Sequence, residues 1–132
     1  MSTHRFAVRI YYEDTDFSGN VYHAAYLKFF ERGRTEFLRD LGIHHAELAE
    51  MGLAFAVRSM EIDFAGAARI DDLLTVTTEV TGCTGVRLML DQTILRDGVV
   101  LTRARVVVVA IRTSGGPARL PAELRARLMP QG

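Results

Sequence analysis

The chain has 132 residues, 48% hydrophobic and 24% charged, with one cysteine, Cys83. That composition excludes a disordered or fibrous chain and an internal disulfide framework, and a chain this long buries roughly two-thirds of its unfolded surface. Sixteen basic residues balance sixteen acidic ones, so no long-range positive field is present to gather nucleic acid or anionic lipid.

Residues 1–132 read as a single domain. Met1-Ser2-Thr3-His4-Arg5 lead into alternating residues without an apolar signal core, and no stretch approaches the roughly 20 apolar residues of a membrane span. The expectation is a cytoplasmic protein without a membrane span.

Phe6, Val8, Ile10 and Tyr12 alternate with Arg5, Ala7, Arg9 and Tyr11, which predicts a first strand ending at Glu13. Asp14 to Asn20 has the composition of a loop. From Ala24 to Leu41 the period becomes helical, with Tyr26, Leu27, Phe30, Phe37, Leu38 and Leu41 on the apolar side and Gly42 as the stop. A glycine at position 33 costs about 1 kcal/mol relative to alanine in an exposed helix, so Gly33 predicts close approach to a sheet.

His45 to Met51 predicts a short second helix, Phe55 to Phe64 a strand, and Ala65 to Ala68 a loop. Leu74 to Thr81 has strong strand character, with a turn at Gly82 to Gly85. Val86 to Ile94 forms the next strand, and Asp97-Gly98 predicts a two-residue hairpin into a last strand running to about Arg112. Val106 to Ile111 is apolar on both faces, as expected of a strand that is central or covered by a partner subunit. Pro121 to Leu128 predicts a terminal helix. A helix with a wide aromatic stripe and strands in series predict an α+β fold, an antiparallel sheet wrapped around the helix.

Three acids, Glu13, Asp14 and Asp16, lie at the exit of the first strand, just before the long helix. A helix N-terminus presents unpaired N–H groups and about half a positive charge, suited to an oxyanion or a polarised carbonyl. A carboxylate opposite it can attack that carbonyl or activate water. The same residues also suit turn and helix capping by Asp14, Asp16 and Asn20, and His23 suits a structural role.

The run Tyr11-Tyr12-Glu13-Asp14-Thr15-Asp16, then Gly19, Val21-Tyr22-His23-Ala24 and Tyr26-Leu27-Lys28-Phe29-Phe30-Glu31-Arg32-Gly33-Arg34-Thr35-Glu36, resembles hotdog-fold acyl-CoA thioesterases of the 4-hydroxybenzoyl-CoA thioesterase type. Within that type it resembles the Tol-Pal-associated, YbgC-like branch. The resemblance implies a five-stranded antiparallel sheet around the Ala24 to Leu41 helix, assembled into a homo-oligomer, either a dimer or a dimer of dimers (homotetramer).

The resemblance further implies an acyl-CoA thioesterase acting on short to medium or aromatic acyl groups. Asp16 would be the catalytic base or nucleophile, and the backbone N–H of His23 would polarise the thioester carbonyl, with Tyr22 and Gly19 binding substrate. It implies no metal and no cofactor, coenzyme A being part of the substrate, and admits acyl carrier protein as a partner. Phe17, Ser18 and Asn20 depart from the commonest pattern of the branch.

Two other readings follow from the same residues: a non-catalytic module binding acyl-CoA or acyl carrier protein, and a dehydratase acting on a 3-hydroxyacyl thioester. The aspartate loop argues against the dehydratase. Arg87, Arg103 and Arg105 suit either coenzyme A phosphates or solvated strand faces. His44, His45 and Cys83 form no pattern of ligands or nucleophiles.

Overall fold

The computed structural model describes residues 3–129; Met1 and Ser2 of the opening segment lie outside them. In chain order the elements are β1 (His4–Arg9), a 3-10 turn (Tyr12–Asp14), α1 (His23–Asp40), α2 (His45–Glu50), β2 (Leu53–Phe64), β3 (Leu73–Cys83), β4 (Arg87–Arg96), β5 (Val99–Arg112) and α3 (Ala122–Leu128). The strands form one antiparallel sheet of five, in the order β1-β3-β4-β5-β2. The expected α+β architecture, a hotdog fold, is present.

The core lies between α1 and the sheet. Phe29 and Phe30 are fully buried against Leu74, Val76, Leu90, Ile94 and Val106, which point inward from β3, β4 and β5. Gly33 meets the sheet as expected: a Cβ added there would stand 2.6 Å from Val76 Cγ1. Helix α1 ends where the glycine allows it to end. Gly42 takes φ +76°, its N–H reaches Arg39 O, and the Ile43 N–H reaches Leu38 O, the paired bonds of a Schellman motif.

The Asp97-Gly98 hairpin forms as expected, with φ of 51° and 80° at its two residues, the left-handed pair that matches strand twist. Strand β5 lies inside the sheet between β4 and β2. Val106, Val108 and Ala110 are buried under the helix, and Val107, Val109 and Ile111 are half-buried on the outward face.

Three expectations are corrected. The first strand ends at Arg9 rather than Glu13, because the Asp14 carboxylate accepts the Tyr11 N–H at 2.8 Å and closes the chain into a 3-10 turn. The third strand runs on through Gly82 to Cys83, with a register shift between Val80 and Gly82; Met89 fills the space a side chain at Gly82 would need. Leu27, expected on the apolar stripe, is exposed, whereas Phe29 is buried in its stead. No helix among the described residues is long and apolar enough to cross a membrane.

Candidate active site

The loop between β1 and α1 is a small hairpin. Thr15 bridges Val21, the Asp16 N–H donates to Asn20 O at 2.9 Å, and the Gly19 N–H donates to Asp16 O at 3.1 Å. Gly19 has φ +84°, the left-handed residue that completes a three-residue hairpin loop. Nothing lies within 4 Å of a Cβ added at Gly19, so backbone conformation is what this position demands.

The hairpin is held against the start of α1 from both flanks. On one side the Tyr22 N–H donates to Asp14 O at 2.9 Å, which ties the residue before His23 to the chain two residues before Asp16. On the other side Ala68, fully buried, accepts the Val21 N–H at 2.8 Å and donates its own N–H to the Tyr26 hydroxyl at 3.0 Å. Burial raises the Tyr26 phenol above its ordinary value. The 65–72 loop therefore braces the hairpin from behind and is itself fixed by Asp72, which accepts from the Arg69 N–H and from Arg96, each at 2.8 Å.

The two neighbouring carboxylates have different tasks. Asp14 serves as a turn cap through Tyr11. Asp16 is exposed, and its Oδ1 accepts the Ser18 N–H at 2.8 Å and the Ser18 hydroxyl at 2.5 Å. These bonds, the hydroxyl first, hold its carboxyl below the usual carboxylate range. Among the described residues no other residue donates a hydrogen bond to Oδ2.

Helix α1 begins without a side-chain cap at Tyr22 and without an acid in its first turn. Asn20, a capping candidate, lies outside the helix, and its N–H goes to Ser18 Oγ instead. Among the described residues the His23 N–H donates to no acceptor. The His23 ring packs against the Tyr22 ring with centroids 4.5 Å apart, both side chains exposed. An uncapped N–H at the positive end of an 18-residue helix suits a carbonyl oxygen that gains negative charge, and the carboxylate on the adjoining hairpin has the chemistry of a base or nucleophile.

The remaining candidates lie elsewhere. Arg103 and Arg105 project from the outward face of β5 opposite Asp63 and Glu61 of β2, and Asp91 lies 3.9 Å from Arg105. That is a cross-strand ladder of alternating charge on a solvated face. His44 and His45 flank the start of α2. Burial raises the Cys83 thiol above its ordinary value, the opposite of what a nucleophile needs.

Sequence reasoning missed the role of Ser18, noted only as a departure from the branch pattern; its spacing of two from Asp16, the spacing of an Asx turn, was the available signal. It also missed the Tyr26 brace, because a tyrosine on an apolar stripe carries no mark of which N–H its hydroxyl will meet.

The family model described as thioesterase-like superfamily matches residues 10–128. The chain is 45% identical over 123 residues to the acyl-CoA thioesterase YbgC of Haemophilus influenzae, covering 92% of this chain and 90% of that one. It is 38% identical over 128 residues to the acyl-CoA thioester hydrolase YbgC of Escherichia coli O6:H1, covering 96% and 90%. The crystal structure of a probable thioesterase from Bartonella henselae superposes with a TM-score of 0.88 at 48% identity, covering 91% of this chain and all of that one.

Proposed function

The chain belongs to the thioesterase-like superfamily, and from that premise we propose that it hydrolyses acyl-CoA thioesters, of short to medium or aromatic acyl groups, to the free acid and coenzyme A. The observation that carries the reading is a single short hairpin that sets an anchored carboxylate with one free oxygen, Asp16, beside the uncapped helix start at His23.

The thioester carbonyl oxygen accepts the His23 N–H and gains negative charge as the acyl carbon becomes tetrahedral; one such donor is worth about 3 to 4 kcal/mol of barrier. Asp16 acts in one of two ways. As a base it takes a proton from water while the water oxygen bonds to the acyl carbon; the carbon–sulfur bond then breaks and the proton passes to the departing thiolate. As a nucleophile its oxygen bonds to the acyl carbon, thiolate leaves, and water cleaves the resulting anhydride to restore the carboxylate. Both routes need the ionised form, which the Ser18 bonds favour.

Tyr22 and the open flank at Gly19 border the acyl carbon and bind substrate. No metal and no cofactor enter either route. Assembly through β2 fits the reading: this strand is 12 residues long, with one edge paired to β5 and no strand on the other among the described residues, and it exposes Val57 and Phe64. The opposite edge, β1, has six residues and carries Arg5 and Arg9. Long unprotected edges invite pairing with another chain and short charged ones resist it, so a second copy adds along β2 to give a homo-oligomer.

The test is thiol release from acyl-CoA esters, from acetyl to palmitoyl with benzoyl and 4-hydroxybenzoyl, by the wild type and Asp16→Asn at equal folded concentration. Hydrolysis that Asp16→Asn abolishes, with acyl-CoA still bound, is the expected result. Binding without hydrolysis by either protein, on coenzyme A and acyl carrier protein thioesters alike, would replace the enzyme with a binding module.

A further inference from the structure

We propose that Ser18 is a positioning residue for this hydrolysis: by fixing Asp16 Oδ1 it leaves Oδ2 as the oxygen that meets water or the acyl carbon. The proposal rests on the thioesterase reading above and deepens it at the same site.

The geometry is a short relay. The Asn20 N–H donates to Ser18 Oγ at 3.3 Å, which occupies a lone pair of the hydroxyl and turns its hydrogen toward Asp16, where Oγ and Oδ1 stand 2.5 Å apart. The Ser18 N–H adds a second bond to the same oxygen at 2.8 Å. Two donors converging on one carboxylate oxygen fix the plane of the group. A free aspartate on an exposed hairpin would otherwise rotate about its terminal torsion, which has only broad preferences. The hairpin that carries Ser18 is itself fixed at both ends by Asp14 and Ala68, so the orientation reaches back to the body of the protein.

The same contacts favour the charged carboxylate, and their source is local. Ionisable side chains on the segments that meet Asp16 include Glu13 and Asp14 in its own loop, the latter turned to the Tyr11 N–H, Tyr22 and His23 at the start of α1, and Arg69 on the facing loop, whose backbone bridges Asn20. The lowering comes from Ser18 and the Asp16 N–H rather than from any of these charges. Removing the hydroxyl therefore moves the Asp16 carboxyl upward, toward its ordinary value, and the acid limb of activity moves to higher pH with it.

The experiment measures kcat and KM against pH for the wild type, Ser18→Ala and Ser18→Thr on one acyl-CoA ester, together with the Asp16 carboxyl titration by NMR in wild type and Ser18→Ala. Loss of a hydrogen bond to an exposed charged group predicts kcat about threefold to tenfold lower in Ser18→Ala with KM nearly unchanged. The acid limb and the Asp16 titration both move up, and Ser18→Thr, which keeps a hydroxyl, returns toward wild type. An active wild type with a Ser18→Ala profile superimposed on it overturns the role of Ser18 and leaves the thioesterase reading standing. A wild type inactive on every thioester overturns that reading, and the role of Ser18 in it, together.

Discussion

Gly33 of α1 touches Val76 of β3 so closely that a Cβ on the glycine would stand 2.6 Å from Val76 Cγ1 and 3.3 Å from Gln92 Nε2. A β-branched side chain in a fully buried strand position cannot swing aside, so helix and sheet must separate to admit a methyl group. Gly33→Ala gains about 1 kcal/mol of helix propensity but loses more through overpacking, typically about 1 to 3 kcal/mol. Urea unfolding is expected to show a net loss of stability, with Val76→Ala relieving part of it in the double variant. Additive effects of the two substitutions would contradict the contact.

Beside that contact, Gln92 is buried in β4 and satisfied on every side. Its Nε2 donates to Phe30 O at 3.0 Å and to Thr78 Oγ1 at 2.9 Å, and its Oε1 accepts from Arg34 at 3.1 Å. Arg34 is half-buried, and burial pulls its guanidinium below its ordinary value. Gln92→Leu keeps the volume but leaves the guanidinium without its acceptor, and the expected loss is about 1 to 3 kcal/mol in urea or thermal unfolding. An unchanged midpoint would mean that water replaces the amide without cost.

The element types were legible in the sequence because period and punctuation agree there: Gly42, Asp97-Gly98 and the alternation of β3 each have one local solution. Strand order was not legible. Nothing local in Leu53 to Phe64 says that β2 leaves its successor and pairs beyond β5 at the far edge. Leu27 illustrates the same limit on a smaller scale. It points almost the same way round α1 as Leu38, eleven residues on, yet only Leu38 is covered. Angle around a helix is written in the sequence, and position along the sheet beneath it is not. At the site, the motif pointed to Asp16, whereas the Tyr26 to Ala68 brace joins residues 42 apart that no spacing rule connects.

Asp72 links the bracing loop to β4 and gives a pH dependence with a definite sign. Burial alone would raise its carboxyl, but the bonds from Arg96 and the Arg69 N–H outweigh that and hold it below the usual carboxylate value. A group depressed in the folded state contributes stability above its unfolded value, and that contribution disappears as pH falls through the folded one. Asp72→Asn should therefore lower the stability measured by urea unfolding at neutral pH, by less than about 1 kcal/mol for a partly exposed pair. The gap from wild type should close as pH drops below about 4. A gap that stays constant with pH would assign the loss to shape rather than charge.

The sharpest measurement separates the His23 side chain from its main-chain N–H. His23 is the first residue of α1, where proline is tolerated, and Tyr22 before it has φ −63° and ψ 134°, the extended conformation a residue preceding proline adopts. His23→Pro thus removes the N–H with little cost to the helix, while His23→Ala removes only the ring. Acyl-CoA hydrolysis by folded His23→Pro is expected to fall in kcat by about a hundredfold to a thousandfold, with His23→Ala retaining most of its activity. Equal rates for His23→Pro and wild type would show that the helix N–H does not bind the developing oxyanion and would contradict the pairing of Asp16 with the start of α1 as the catalytic unit.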